Sequence, residues 1–164
     1  MKTTLLALLM LFGLSVQAET EVEAQACPDL SGVYTCGEEE LTVETFELNG
    51  VYYLEFNGNG GLPADGAWLQ LPDSEEEKNA KFRLTCGDKA PYGSHFLLDY
   101  ESDLYQQGQY VAFLDAEVYF YINVNNELAQ DTVGVAKGSW GEQPIDEKIV
   151  CTKKSVSPDN NETN

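Results

Sequence analysis

Basic side chains are scarce in this chain of 164 residues. Nine lysines and arginines stand against 28 acids, and the formal net charge is −19 at pH 7. A surface of this sign repels phosphate backbones and anionic headgroups. We therefore expect no nucleic-acid partner. The acidity favours solubility, and it is also compatible with binding of a cation or of a basic partner.

Histidine is almost absent. His95, in GSHFLLDY, is the only imidazole. Strand alternation places it opposite Phe96 and Leu98, so we expect it to face solvent. There it lacks the nucleophile and the orienting partner that a general base needs. We therefore expect no enzymatic activity and no cofactor.

Long apolar runs are also missing. The longest, Leu5 to Val16, has 12 residues, whereas a bilayer-spanning helix needs about 20. It follows Lys2 and ends in Val16-Gln17-Ala18, the pattern of a cleavable signal peptide. We therefore expect export to the periplasm or the exterior, cleavage after Ala18, and no membrane span.

The remaining chain predicts one domain with short tails. Residues 1–18 are the expected signal peptide and 19–26 a flexible, acidic leader. A single β domain is expected over 27–154, a length that suffices for a core. Residues 155–164 lack apolar periodicity, which predicts a disordered tail.

The apolar pattern has a period of two. AKFRLTC places Phe82 and Leu84 opposite Lys81 and Arg83, and EVYFYINVN alternates in the same way. Such segments are half-buried antiparallel strands. Further strand candidates are 31–36, 66–71, 94–100, 109–115, 132–136 and 148–153. About eight or nine short strands predict an all-β, antiparallel up-and-down β-barrel, with a β-sandwich as the alternative.

The segment TFELNGVYYLEF predicts a hairpin. Asn49-Gly50 supplies the positive φ angles of a type I′ turn. A two-residue turn pairs Phe46 with Tyr53 and Glu44 with Glu55. The second pair sets like charges side by side, so it indicates either a bulge or a solvated rim.

Four cysteines follow the signal, with spacings of 9, 50 and 65 residues. These spacings, with one histidine, do not suit zinc. In an oxidising compartment we expect two disulfides. Four cysteines allow three pairings, and loop entropy stabilises each bond by roughly 3–5 kcal/mol, which does not choose among them.

The opening stretch CPDLSGVYTC resembles the start of lipocalin-like (calycin) barrels. Those begin with a short turn that closes one barrel end, followed by Gly-x-aromatic, here Gly32 and Tyr34. Together with the late CTKK, the stretch is also similar to a set of small exported bacterial proteins. The chain departs from the classical lipocalins in having Tyr34 instead of tryptophan, and it lacks their later Thr-Asp-Tyr motif.

The resemblance implies a pairing of the cysteines. In such a barrel the first and last strands are neighbours, which favours Cys36–Cys151 and leaves Cys27–Cys86. The alternative, Cys27–Cys36 with Cys86–Cys151, would fasten the opening turn locally.

Large apolar side chains share one face of several strands. An eight-stranded barrel either packs its interior solid or holds one small ligand. The candidate lining residues are Leu54, Phe56, Phe82, Leu84, Phe96, Leu98, Phe113, Phe120 and Ile122. We expect a binding module for a small apolar or amphipathic ligand.

The alternative function is a non-enzymatic protein-interaction or inhibitor domain. It would act through its loops or through an outer-face strip of Tyr119 and Tyr121, with Tyr52 or Tyr53. Exposed aromatic strips of this kind mark contact surfaces. A covering loop would instead bury them.

Metal ligands are weakly indicated. Asp99, Glu101 and Asp103 lie on one side of an extended segment, and calcium prefers six to eight oxygens. No EF-hand spacing is present, and a solvated acidic rim explains the same residues. We therefore expect no metal, with these three as the weak calcium candidates.

Overall fold

The computed structural model describes residues 27–154. The expected signal peptide, the leader and the tail lie outside these residues. No helix able to cross a membrane occurs within them. The strands are β1 (Gly32–Cys36), β2 (Glu39–Leu48), β3 (Val51–Phe56), β4 (Leu62–Pro63), β5 (Leu69–Gln70), β6 (Glu77–Lys89), β7 (Gly93–Gln106), β8 (Gln109–Ile122), β9 (Leu128–Gly138) and β10 (Gly141–Lys153).

All ten strands form one antiparallel sheet, in the order β4-β3-β2-β1-β10-β9-β8-β7-β6-β5. Sequential strands are neighbours except β4 and β5, which form the two ends of the sheet, and β1 pairs with β10. The sheet curls into a half-barrel. The predicted all-β, antiparallel up-and-down architecture is therefore confirmed, and the sandwich alternative is not what forms.

The Asn49-Gly50 hairpin also forms as predicted. Both residues have positive φ, 54° and 80°. Phe46 pairs with Tyr53 and Glu44 with Glu55, without a bulge. Glu44 is exposed, so water screens the like-charge pair, and the solvated-rim interpretation is the one that holds.

Strand lengths differ from the prediction. Strands β6 to β10 have 11 to 14 residues each. The predicted strands 109–115 and 117–125 are one continuous strand, β8. Acidic residues such as Asp115 and Glu117 interrupt the apolar pattern without ending the strand, because they pair across the sheet with β7 and β9.

The junction of β1 and β10 is short. Only Tyr34↔Lys153 and Thr35↔Thr152 pair there. The next pair in this register is Cys36 with Cys151, which are joined by a disulfide with a Cα–Cα distance of 4.4 Å. This is the pairing that the barrel resemblance implied.

The second disulfide lies where the two ends of the sheet approach each other. Strand β4 pairs with β3 and β5 pairs with β6, and between them the Gly66 amide donates to the Leu84 carbonyl at 3.0 Å. Cys27 is bonded to Cys86 of β6. The opening peptide is thereby fastened to the far side of the sheet.

The core fills the barrel beneath this opening peptide. Its fully buried side chains include Leu30, Tyr34, Leu54, Leu84 and Phe96. The Tyr34 hydroxyl donates a hydrogen bond to the Leu30 carbonyl at 2.8 Å. This bond joins the first strand to the turn that precedes it, so Leu30 closes the barrel from inside.

Tyr34→Phe tests this closure. Removing the hydroxyl leaves the Leu30 carbonyl buried without its donor, and we expect the free energy of unfolding to fall by about 1–2 kcal/mol. Urea denaturation measures it. Tyr110→Phe is the control, because Tyr110 is 53% exposed and its change should stay within about 0.5 kcal/mol. Equal stability of both variants would contradict the closing role.

Candidate functional site

A partly enclosed cavity of about 200 Å³ lies at the junction of β1 and β10. Strands β1, β2, β3, β8, β9 and β10 all contribute to its wall. The lining residues are Cys36, Glu39, Glu40, Leu41, Phe56, Asn57, Phe120, Leu128, Gln130, Ile149 and Cys151.

The inner wall of the cavity is apolar and aromatic. The rings of Phe56 and Phe120 lie 5.4 Å apart at an interplanar angle of 49°. Leu128 and Cys151 are buried beside them. Phe120 faces inward because side chains alternate along β8, and Phe56 ends β3 opposite it. Both rings belong to the cavity lining, so this wall is aromatic.

The mouth of the cavity is polar. Glu39 and Glu40 begin β2, and Asn57 follows β3. The Asn57 side chain accepts a hydrogen bond from the Thr42 amide at 2.9 Å, and the Asn57 amide donates to the Thr42 carbonyl at 2.8 Å. These two bonds fasten the open end of the β2–β3 hairpin, two residues beyond Glu40 along β2.

The volume limits what the cavity can hold. A dry apolar cavity of about 150 Å³ binds benzene. About 200 Å³ therefore suits one ring with a short substituent, below the roughly 300–1,000 Å³ of drug-sized sites. The lining side chains supply apolar contacts inside and hydrogen-bond acceptors at the mouth.

The predicted lining residues divide into three groups. Leu54, Leu84 and Phe96 are fully buried in the core, and Leu98 and Ile122 pack against it. Phe56 and Phe120 line the cavity, whereas Phe82 lies elsewhere on β6, buried beside β5.

Phe113 lies on the opposite face of the sheet from Phe120. Strand β8 has no register shift after Ala112, so its side chains alternate regularly from there to Ile122. Phe113 therefore lies on the same face as Tyr119. The sequence pattern could not show this while the strand was interpreted as two.

Several lining residues were missed from the sequence. Leu128 lies between the predicted strands 117–125 and 132–136, although it begins β9. Ile149 and Cys151 share one face of β10 by simple alternation, which would have pointed to Ile149. The acidic Glu39 and Glu40 gave no signal that distinguished them from the other acids.

The expectation that His95 faces solvent is wrong. It lies on the outer face, as alternation requires, but only 3% of it is exposed. The ring of Tyr92, in the turn before β7, lies 5.9 Å from the imidazole, and Tyr119 lies 5.2 Å away on the other side. Its Nδ1 lies 2.7 Å from the Gly93 carbonyl.

The tyrosine strip is covered by the same turn. Tyr92 stacks on Tyr119 at 4.1 Å, and both Tyr119 and Tyr121 are buried. Tyr52 packs against the core instead, and Tyr53 stacks on Phe46. The four tyrosines therefore do not form one exposed surface.

The weak calcium candidates Asp99, Glu101 and Asp103 do not come together at one site. Each of the three acids on β7 contacts a different side chain of β6. The pairs are Asp99 with Arg83 at 2.6 Å, Glu101 with Lys81 at 2.9 Å and Asp103 with Asn79 at 2.7 Å. Within residues 27–154, no three acidic, histidine or cysteine side chains are placed to share a metal ion.

Comparison of the chain with known proteins does not place it in a family. No protein-family model, curated protein or solved structure matches it. The resemblance of CPDLSGVYTC to lipocalin-like barrels stays a prediction.

Four tyrosines have raised pKa values. Burial raises the pKa of Tyr119 far above its ordinary 10.0, and the Glu117 carboxylate that accepts its hydrogen bond raises it further. Burial is also the main cause of the raised pKa of Tyr34, Tyr92 and Tyr100. The folded protein keeps these phenolic protons when the unfolded chain has lost them.

Phenolate formation can be followed by absorbance at 295 nm. In the native protein we expect four of the nine tyrosines to ionise at higher pH than they do in the chain unfolded in 6 M guanidinium. Because the unfolded chain releases protons first, stability falls as the pH rises above about 10. Superimposable native and denatured titrations would contradict the burial of these hydroxyls.

Proposed function

We propose that the protein is an exported, lipocalin-like binding module that holds a small apolar or amphipathic molecule at the junction of β1 and β10. One observation carries the proposal: the partly enclosed cavity against Phe56 and Phe120. The two disulfides suit the oxidising environment outside the cytoplasm.

The packing around the cavity supports this proposal. The neighbouring core is filled, with Leu54 and Phe96 fully buried, so the void does not reflect a loosely packed barrel. Side chains that line a void lack dispersion contacts on one side. An occupant of matching shape supplies them, and it removes apolar surface from water on both partners.

The alternative, a protein-interaction domain, has a different candidate surface. The edge of β10 from Gly141 to Val150 pairs with β9 but not with β1. Open edges accept added strands. Here, however, Pro144 offers no N–H, and the charged Asp146 and Lys148 follow it. Such features discourage strand addition, so the cavity is the better-supported site.

Ile149→Trp tests the proposal. Ile149 lies in the lining and is 46% exposed, so a larger ring there obstructs the cavity without disturbing the core. The control is Val150→Trp, since Val150 is 41% exposed and points to the other face of β10. Toluene is the probe, titrated into ¹⁵N-labelled protein and followed by amide chemical shifts.

We expect toluene to shift the amides of Phe120 and Leu128 in the wild type and in Val150→Trp. In Ile149→Trp the affinity should fall at least tenfold, equivalent to about 1.4 kcal/mol. Shifts that are absent from the wild type, or unchanged in Ile149→Trp, would contradict binding in this cavity.

A further inference from the structure

We infer that the occupant of this cavity is a small organic cation: an ammonium group on a short aromatic or aliphatic body. The inference rests on the proposed function and specifies its ligand. It follows from the charges at the mouth, the rings of the inner wall and the field of the whole chain.

The mouth carries unbalanced negative charge. The described residues that line the cavity include the carboxylates of Glu39 and Glu40 and no basic side chain. Lys154 ion-pairs with Glu40, whereas no basic side chain of residues 27–154 pairs with Glu39. One carboxylate is therefore available to an incoming ammonium group.

The inner wall suits the same ligand. Phe56 and Phe120 pack against each other with their centroids 5.4 Å apart, and both line the cavity, so an occupant lies against aromatic side chains on this side. Ring faces carry partial negative charge and attract cations within about 6 Å of their centroid. The side-chain amides of Asn57 and Gln130, at the rim, have oxygens that can accept ammonium hydrogens.

The charge of the chain acts in the same direction at longer range. A formal net charge of −19 raises the local concentration of cations and lowers that of anions. An anionic ligand would meet this field and the Glu39 carboxylate together. A neutral ligand would gain the apolar contacts, and a hydrogen bond at the mouth where it carries a donor, but no charge attraction.

Three ligands with similar bodies separate these cases: 2-phenylethylammonium, 2-phenylethanol and phenylacetate. At low salt we expect the ammonium ligand to bind about tenfold more tightly than the alcohol, and phenylacetate to bind least. The measurement is the amide shift of Phe120 and Leu128 against ligand concentration. Addition of 0.5 M NaCl should reduce the preference, because the Glu39 carboxylate is exposed to screening.

Glu39→Gln assigns the preference to one carboxylate. We expect the preference for the ammonium ligand over the alcohol to fall roughly threefold or more in this variant, with the alcohol affinity unchanged, while the rings and the net charge of the chain maintain the remainder. Glu47→Gln is the control, since Glu47 is an exposed acid of the same strand that does not line the cavity. Glu47→Gln removes one negative charge, as Glu39→Gln does, and should retain most of the preference.

The outcomes separate the two proposals. If toluene and the alcohol bind at the cavity but the ammonium ligand binds no more tightly, the charge inference is overturned and the proposed function stands. If the preference survives unchanged in Glu39→Gln, the inference is overturned as well. If none of the ligands shifts Phe120 or Leu128, both proposals fail.

Discussion

The short junction between the first and last strands is the constraint on which the rest of the structure depends. Two backbone pairs and the Cys36–Cys151 disulfide hold β1 against β10. At the other end of the sheet the meander β1 to β4 is joined to the long strands by the chain between β4 and β5, by the Cys27–Cys86 disulfide and by the Gly66–Leu84 hydrogen bond. The cavity lies at this junction, and Cys36 and Cys151 form part of its wall.

Ion pairs offset part of the repulsion among the many acidic side chains of the sheet. On the outer face, Asp99 lies directly opposite Glu117, and Glu101 opposite Asp115. Like charges in such pairs are destabilising. Arg83 and Lys81 pair with Asp99 and Glu101 from the neighbouring strand and offset part of the repulsion. At the cavity mouth Glu39 has no such partner among the described residues, which is why we propose a binding role for it.

Local features of this fold could be predicted from the sequence, and features that depend on distant contacts could not. Turn chemistry and alternation were sufficient for the Asn49-Gly50 hairpin and for the antiparallel barrel. Alternation also gave the correct face for His95, but it could not show that Tyr92 covers that face. Phe56 and Phe120 were identifiable as apolar wall positions. Their place in a cavity lining, in contrast to Leu54 in the filled core, depends on contacts among six strands. Alternation within one strand does not show such contacts.

Amide hydrogen exchange in Cys36→Ala/Cys151→Ala, compared with Cys27→Ala/Cys86→Ala, tests the central role of this junction most directly. The reporter is the Lys154 amide, which donates to the Val33 carbonyl at 2.8 Å across it. If the disulfide holds the junction, the Lys154 amide loses protection in Cys36→Ala/Cys151→Ala, while the amides that join β7 and β8 stay protected. In Cys27→Ala/Cys86→Ala the Lys154 amide should stay protected as well. Wild-type protection at Lys154 in Cys36→Ala/Cys151→Ala would contradict the account.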